Sequence, residues 1–153
     1  MVRVSHFTFR ICLRAYYLLP LRGIKGKCFS MNQPGNTQFN EQIRERSMKM
    51  AVDVRNLLTT VTISAIDKPI VNQLIRSSSS VAANYRAATC ARSDAEFPSK
   101  ISIVLEEMDE SKFWMEYLHR IGILQDLYTG SIQKEMDELV RIFSAIRKKM
   151  KER

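Results

Sequence analysis

Glu116-Tyr117-Leu118-His119 sets a carboxylate and an imidazole one helical turn apart, the spacing that holds metal in di-iron helical bundles. Such a centre takes two of these motifs, with a further carboxylate from each of the other two helices. The only other histidine is His6, close to the start of the chain. Leu118 also falls on an apolar stripe, which turns Glu116 and His119 to its flanks, so a surface or interface role is expected for them. A helical-bundle nuclease would place an arginine shortly before the histidine, where Phe113, Trp114 and Met115 stand instead. No Gly-x-Ser-x-Gly elbow, phosphate loop, paired-cysteine site or Cys/His nucleophile pair occurs. The expectation is a protein that is not an enzyme, with no cofactor and no metal.

The remaining chemistry is charge and aromatic surface. Arg76, Arg86, Arg92 and Lys100 are candidate contacts to RNA or to a protein partner, and Arg147, Lys148, Lys149 and Lys151 extend the set. Phosphate neutralisation by such groups gives salt-dependent binding with little sequence preference. The competing reading of the last four is simpler, because cations near a helix C-terminus are favoured by the backbone dipole. Glu106, Glu107, Asp109, Glu110 and Glu116 form an acidic stretch. They read either as a solvated face, with Asp109 and Lys112 paired along it, or as partners of Arg76, Arg86 or Arg92. Asn84, among small residues, is a candidate for a buried hydrogen bond that sets helix register. Trp114 and Tyr117 lie beside an apolar stripe, which suits a subunit interface.

Four helices are needed to position these groups. Ile43, Ser47, Met50, Val54, Leu57 and Val61 recur at alternating steps of four and three, the seam of a helix running nearly parallel to its neighbours. That predicts a first helix over about 39–61. A second begins beside Pro69, with Val71, Leu74, Ser78, Val81, Tyr85 and Ala88 on one stripe and Ser77, Ser80, Asn84, Ala87 and Ala91 on a small-residue face. The serine run 77–80 is not a linker, because the stripe continues through it. Ser93 and Glu96 make a capping-box pattern that opens a third helix. Its stripe is Phe97, Ile101, Val104, Met108, Ser111, Met115, Leu118 and Gly122, predicting a helix to about 125. The turn Tyr128-Thr129-Gly130-Ser131 then precedes a fourth helix carrying Ile132, Met136, Leu139, Phe143, Ile146 and Met150. Four striped helices with short connections predict an all-α, antiparallel up-down-up-down four-helix bundle.

The chain has 153 residues, enough for one domain with a working core. Its net charge of +8 is unevenly spread. Residues 1–30 hold six bases and no acid, while the rest holds 18 bases against 16 acids. The leader 1–36 therefore reads as a basic, unstructured segment ahead of a bundle domain over 37–153. Arg10 and Arg14 interrupt what a secretory signal would keep apolar, and translation is expected to start at Met31. Three cysteines without a CxxC pattern offer no disulfide framework, which suits a reducing cytoplasm.

Residues 70–118 carry a resemblance as well. Gln73 to Ser77, Ala83-Asn84-Tyr85, Ala91-Arg92-Ser93, the Phe97/Lys100 pair and Glu107 to Leu118 resemble the bacterial four helix bundle protein family. That family includes proteins encoded in intervening sequences of 23S ribosomal RNA genes and is related to the accessory variability determinant of diversity-generating retroelements. The resemblance runs over about 43–149. It implies a ring-shaped homo-oligomer, commonly a pentamer, acting as a scaffold with RNA binding as its activity. The alternative it offers is an accessory subunit that binds a partner such as a reverse transcriptase. This chain departs from many relatives in carrying Ala87-Ala88 where they have Glu-Ala, and its near-neutral folded part lacks the strong basicity of the retroelement protein.

Overall fold

The computed structural model describes residues 34–91, 93 and 96–151. The expectations for residues 1–33, the Met31 start included, lie outside the described residues. Four helices follow one another: α1 (Pro34–Leu58), α2 (Lys68–Ala88), α3 (Glu96–Arg120) and α4 (Asp126–Lys151). Each packs on the next and α4 returns to α1, while the diagonal pairs stand apart across the core. This is the antiparallel up-down-up-down four-helix bundle that the stripes predict. No helix among the described residues is long and apolar enough to cross a membrane.

The stripes are the core. Val54, Leu74, Val81, Ile101, Met108, Met115, Leu118, Met136 and Leu139 are all fully buried. Each contributes about 1.5–3 kcal/mol of transfer free energy on burial. The small seam residues Ser47, Ser78 and Ser111 are buried with them, and each hydroxyl donates to a carbonyl four residues back in its own helix. That internal bond is what lets a serine replace an apolar residue here without an unsatisfied donor. Ser77 and Ala91 on the small face are buried too, so α2 and α3 approach closely.

Helix ends depart from the sequence reading. Helix α1 starts at Pro34, a favoured first-turn residue, and stops at Leu58. The stop is chemical: the Thr59 and Thr60 hydroxyls donate to the carbonyls of Asn56 and Leu57, so Val61 is left half-buried past the end. Helix α3 opens as expected, the Glu96 amide donating to Ser93 Oγ at 3.2 Å. It ends at Arg120, not near 125, and the last turn lies over 121–125 rather than 128–131. Gly122 sits at φ +80°, with the Gly122 amide bonded to the His119 carbonyl and the Ile123 amide to that of Leu118. That is a Schellman termination. The supposed turn residues Thr129 and Gly130 lie inside α4, where Thr129 is almost wholly buried.

The two glycines therefore respond oppositely to alanine. Neither added Cβ meets any atom within 4 Å. Gly122→Ala should lose about 1 kcal/mol to left-handed strain. Gly130→Ala should gain about 1 kcal/mol of helix propensity. Urea denaturation of the two variants measures both signs.

Candidate nucleic-acid interface

A polar seam lies along the outer side of the α2–α3 contact. Ser77 and Ser111 meet hydroxyl to hydroxyl at 2.9 Å in the buried part of that contact. At the adjacent, solvent-facing position of each helix, the Arg76 guanidinium donates to both oxygens of Glu110, at 2.8 and 2.9 Å, and to Gln73. Trp114 Nε1 donates to the same carboxylate at 3.1 Å. Arg76 is thus engaged by the acidic stretch of α3, the structural of the two pairings the sequence offered. The expected partner of Lys112 is different: it reaches Asp137 of α4 at 2.7 Å instead of Asp109. Asn84 is half-buried, but its amide donates to the Ser80 carbonyl and hydroxyl of its own helix. Register between α2 and α3 is carried by the Ser77–Ser111 and Arg76–Glu110 bonds rather than by Asn84.

Glu107 is the most constrained acid of the seam. Burial raises its pKa, opposed by a hydrogen bond from Ser80 and by the Arg76 charge, and aided by Glu110 and Glu106. Its Oε2 atom is buried without a hydrogen-bond partner among the described residues. An acid whose folded pKa lies above its unfolded one binds protons more readily in the native state. Stability from this group is therefore greatest below the ordinary carboxylate pKa and declines as pH rises through the folded one. Glu107→Gln should flatten the pH dependence of stability above that ordinary value and stabilise the protein at neutral pH. Denaturant midpoints across a pH series measure this.

Topology sorts the remaining bases. In an up-down-up-down bundle the C-terminal ends of α2 and α4 lie at the same end as the N-terminal ends of α1 and α3. The hydrogen bond from Tyr85 Oη of α2 to Asn40 of α1 marks that end. Arg86, Lys100, Arg147, Lys148 and Lys149 all fall there. Arg92, in the α2–α3 connection, lies outside the described residues, and Lys151 is described only as the last residue of α4. Lys100 pairs with Glu96 at 3.6 Å, and Arg44 with Glu41 at 2.8 Å. Arg86, Arg147 and Lys149 form no ion pair with a described residue. Of the sequence-proposed contacts, all the described ones except Arg76 therefore gather at one end. Arg76 sits up the barrel, bound to Glu110.

One feature lay beyond the sequence reading. Arg46 of α1 makes a two-pronged contact with Glu135 of α4, at 2.7 and 3.0 Å, and a further one with Glu138 at 3.0 Å. The first of these bonds is also the main cause of its raised pKa. Lys49 and Asp53 pair beside it, so the shallow groove between α1 and α4 is walled by charges already satisfied. Trp114 and Tyr117, which the sequence places beside the apolar stripe, join Phe113 in an aromatic cluster on α3. Phe113 meets Trp114 edge-on at 4.8 Å, and Tyr117 lies 6.1 Å from Trp114. Glu116 pairs with Arg120 at 2.6 Å on the exposed flank of Leu118.

A family model described as 23S rRNA-intervening sequence protein matches residues 40–145. Among solved structures, the chain is similar to a protein of unknown function from the S23 ribosomal protein family of Bacteroides thetaiotaomicron. That likeness has 29% identity and a TM-score of 0.64, covering 69% of this chain and 98% of the other. No curated protein matches. With well over half of its length matched, and the matched segment spanning all four helices, the chain belongs to the 23S rRNA-intervening sequence protein family.

Proposed function

We propose that the protein is a non-enzymatic, self-associating scaffold that binds RNA through the basic end of its bundle. The observation that supports this most is the gathering of Arg86, Lys100, Arg147, Lys148 and Lys149 at one end, where Arg86, Arg147 and Lys149 form no ion pair with a described residue. Surface bases that no described acid engages, on rigid helix ends, keep their charge available to phosphate. The dipole explanation covers α4, whose bases lie in its last turn. It does not cover Lys100, which stands in the opening turns of α3, where the positive end of the helix dipole disfavours a cation. The family's link to 23S rRNA fits an RNA ligand. A structured RNA carrying a fluorophore, titrated with protein across a salt series, tests the reading. Binding should weaken steeply as salt rises, and absence of binding at low salt overturns it.

The alternative, an accessory subunit for a reverse transcriptase, draws on the related retroelement protein and on no separate feature of this chain. In the same titration it would leave RNA unbound until the partner protein is added.

A further inference from the structure

At the basic end, the α1 and α4 stripes run past the last fully covered layer of the core. Ile43 is 2% exposed, whereas Phe39, one turn earlier on the same face of α1, is 41% exposed. On α4, Phe143 is fully buried, while Ile146 and Met150 beyond it are only partly covered. The core therefore ends in an apolar ledge that carries an aromatic ring. Among the described residues, the exposed rings of Phe113 and Tyr117 share α3 with Glu106, Asp109 and Glu116. Phe39 is the exposed ring that lies at the basic end.

Cross-helix contacts fix what surrounds that ring. Tyr85 Oη donates to Asn40 Oδ1 at 3.3 Å, and the Tyr85 ring lies 5.2 Å from that of Phe143. Phe39 is thus level with the residues just beyond Tyr85 on α2 and just beyond Phe143 on α4. Arg86 follows Tyr85 directly, on the flank of α2 away from Ser77 and Ser80, which meet α3. Lys149 is in heptad register with Glu135, the partner of Arg46, and so falls on the α1 side of α4. Both cations lie within about two helical turns of Phe39 along the bundle axis. Neither forms an ion pair with a described residue. Of the acids at that end, Glu41 is engaged by Arg44 and Glu96 by Lys100.

An RNA duplex offers phosphates to such cations but keeps its base faces stacked inside the helix. An unpaired nucleotide offers phosphate and base face together. Every base has a face that stacks on an aromatic ring, so a ring among cations selects strand state and not sequence. We propose that the basic end takes unpaired RNA nucleotides, one base stacking on the Phe39 ring while Arg86 and Lys149 hold the neighbouring phosphates. Resting on the RNA-binding reading, this assigns to Phe39 the discrimination of single strands, while the cations supply attraction without choosing.

The test uses the full chain and two fluorescein-labelled probes, a mixed-sequence RNA single strand and the same strand annealed to its complement. Phe39→Leu keeps apolar bulk against the core and removes the aromatic face, whereas Phe39→Tyr keeps that face. Phe39→Leu should weaken single-strand binding about tenfold and change duplex binding by less than about twofold. The slope of log affinity against log salt should stay the same, because stacking releases no counterions. Phe39→Tyr should bind both probes as the unsubstituted chain does. Equal losses on the two probes, equal losses in the two variants, or no loss in Phe39→Leu would each overturn the role of Phe39 and leave RNA binding standing. Failure of the unsubstituted chain to bind either probe at low salt would refute both. A single strand carrying 5-iodouridine, irradiated on the unsubstituted protein, should attach at Phe39. Attachment at Phe113 or Tyr117 instead would put the strand on α3 and equally overturn the proposal.

Discussion

Replacing Phe143 with alanine should cost about 3–5 kcal/mol and leave the domain close to unfolding. Phe143 is fully buried near the basic end, its ring 5.2 Å from that of Tyr85. Tyr85 is equally buried, and burial raises the pKa of its hydroxyl. Truncation removes the transfer free energy of a phenyl ring and leaves a cavity that rigid helices cannot close. A domain of this size has about 5–15 kcal/mol in total. Thermal and urea unfolding followed by circular dichroism should show the loss. The comparison with Phe113→Ala is informative, because that side chain is more than half exposed. Its removal should change monomer stability by less than about 1 kcal/mol. Equal losses at the two positions would contradict the burial pattern on which the bundle rests.

The second large effect concerns RNA. Combined reversal of Arg86, Arg147 and Lys149 to glutamate should lower RNA affinity by at least about a hundredfold at moderate salt. It should also reduce the slope of log affinity against log salt by about three. Each reversal removes a cation that no described acid engages and substitutes a charge that repels phosphate. All three lie near the C-terminal ends of their helices, so helicity should persist. Arg76→Gln provides the contrast. It breaks the contact with Glu110, an exposed ion pair worth roughly 1 kcal/mol or less. Its effect should fall on stability and leave RNA affinity nearly unchanged. A large affinity loss from Arg76→Gln, with none from the triple reversal, would move the RNA surface to the side of the bundle.

The parts of this structure that were legible in the sequence are those carried by periodicity. Residues such as Leu74, Ile101 and Met136 recur every three or four places, and a helix puts such residues on one edge whatever its neighbours are. The serine run was legible for the same reason, since Ser78 keeps the stripe and satisfies its own hydroxyl. Helix ends were less so. Gly130-Ser131 carries a strong local turn signal, yet Thr129 and Ile132 are drawn into the bundle and the tertiary contacts override it. Gly122 looked like one more small stripe residue, because a positive φ leaves no trace in periodicity. Cross-helix charge pairs were legible only as sets of candidates. Arg76 with Glu110 could be anticipated from facing helices, while Arg46 with Glu135 joins residues 89 apart and depends on how α1 and α4 are rotated. The basic end was hidden in the same way, because Arg86, Lys100 and Arg147 come together only through the alternation of helix direction.

Lysine modification read by mass spectrometry, with and without bound RNA, bears most directly on the assignment of that end. Acetylation of the full chain should be blocked by RNA at Lys100, Lys148 and Lys149, and should proceed unchanged at Lys49, Lys112 and Lys134, which lie along the barrel. Protection of the barrel lysines, with the three end lysines still reactive, would contradict the account.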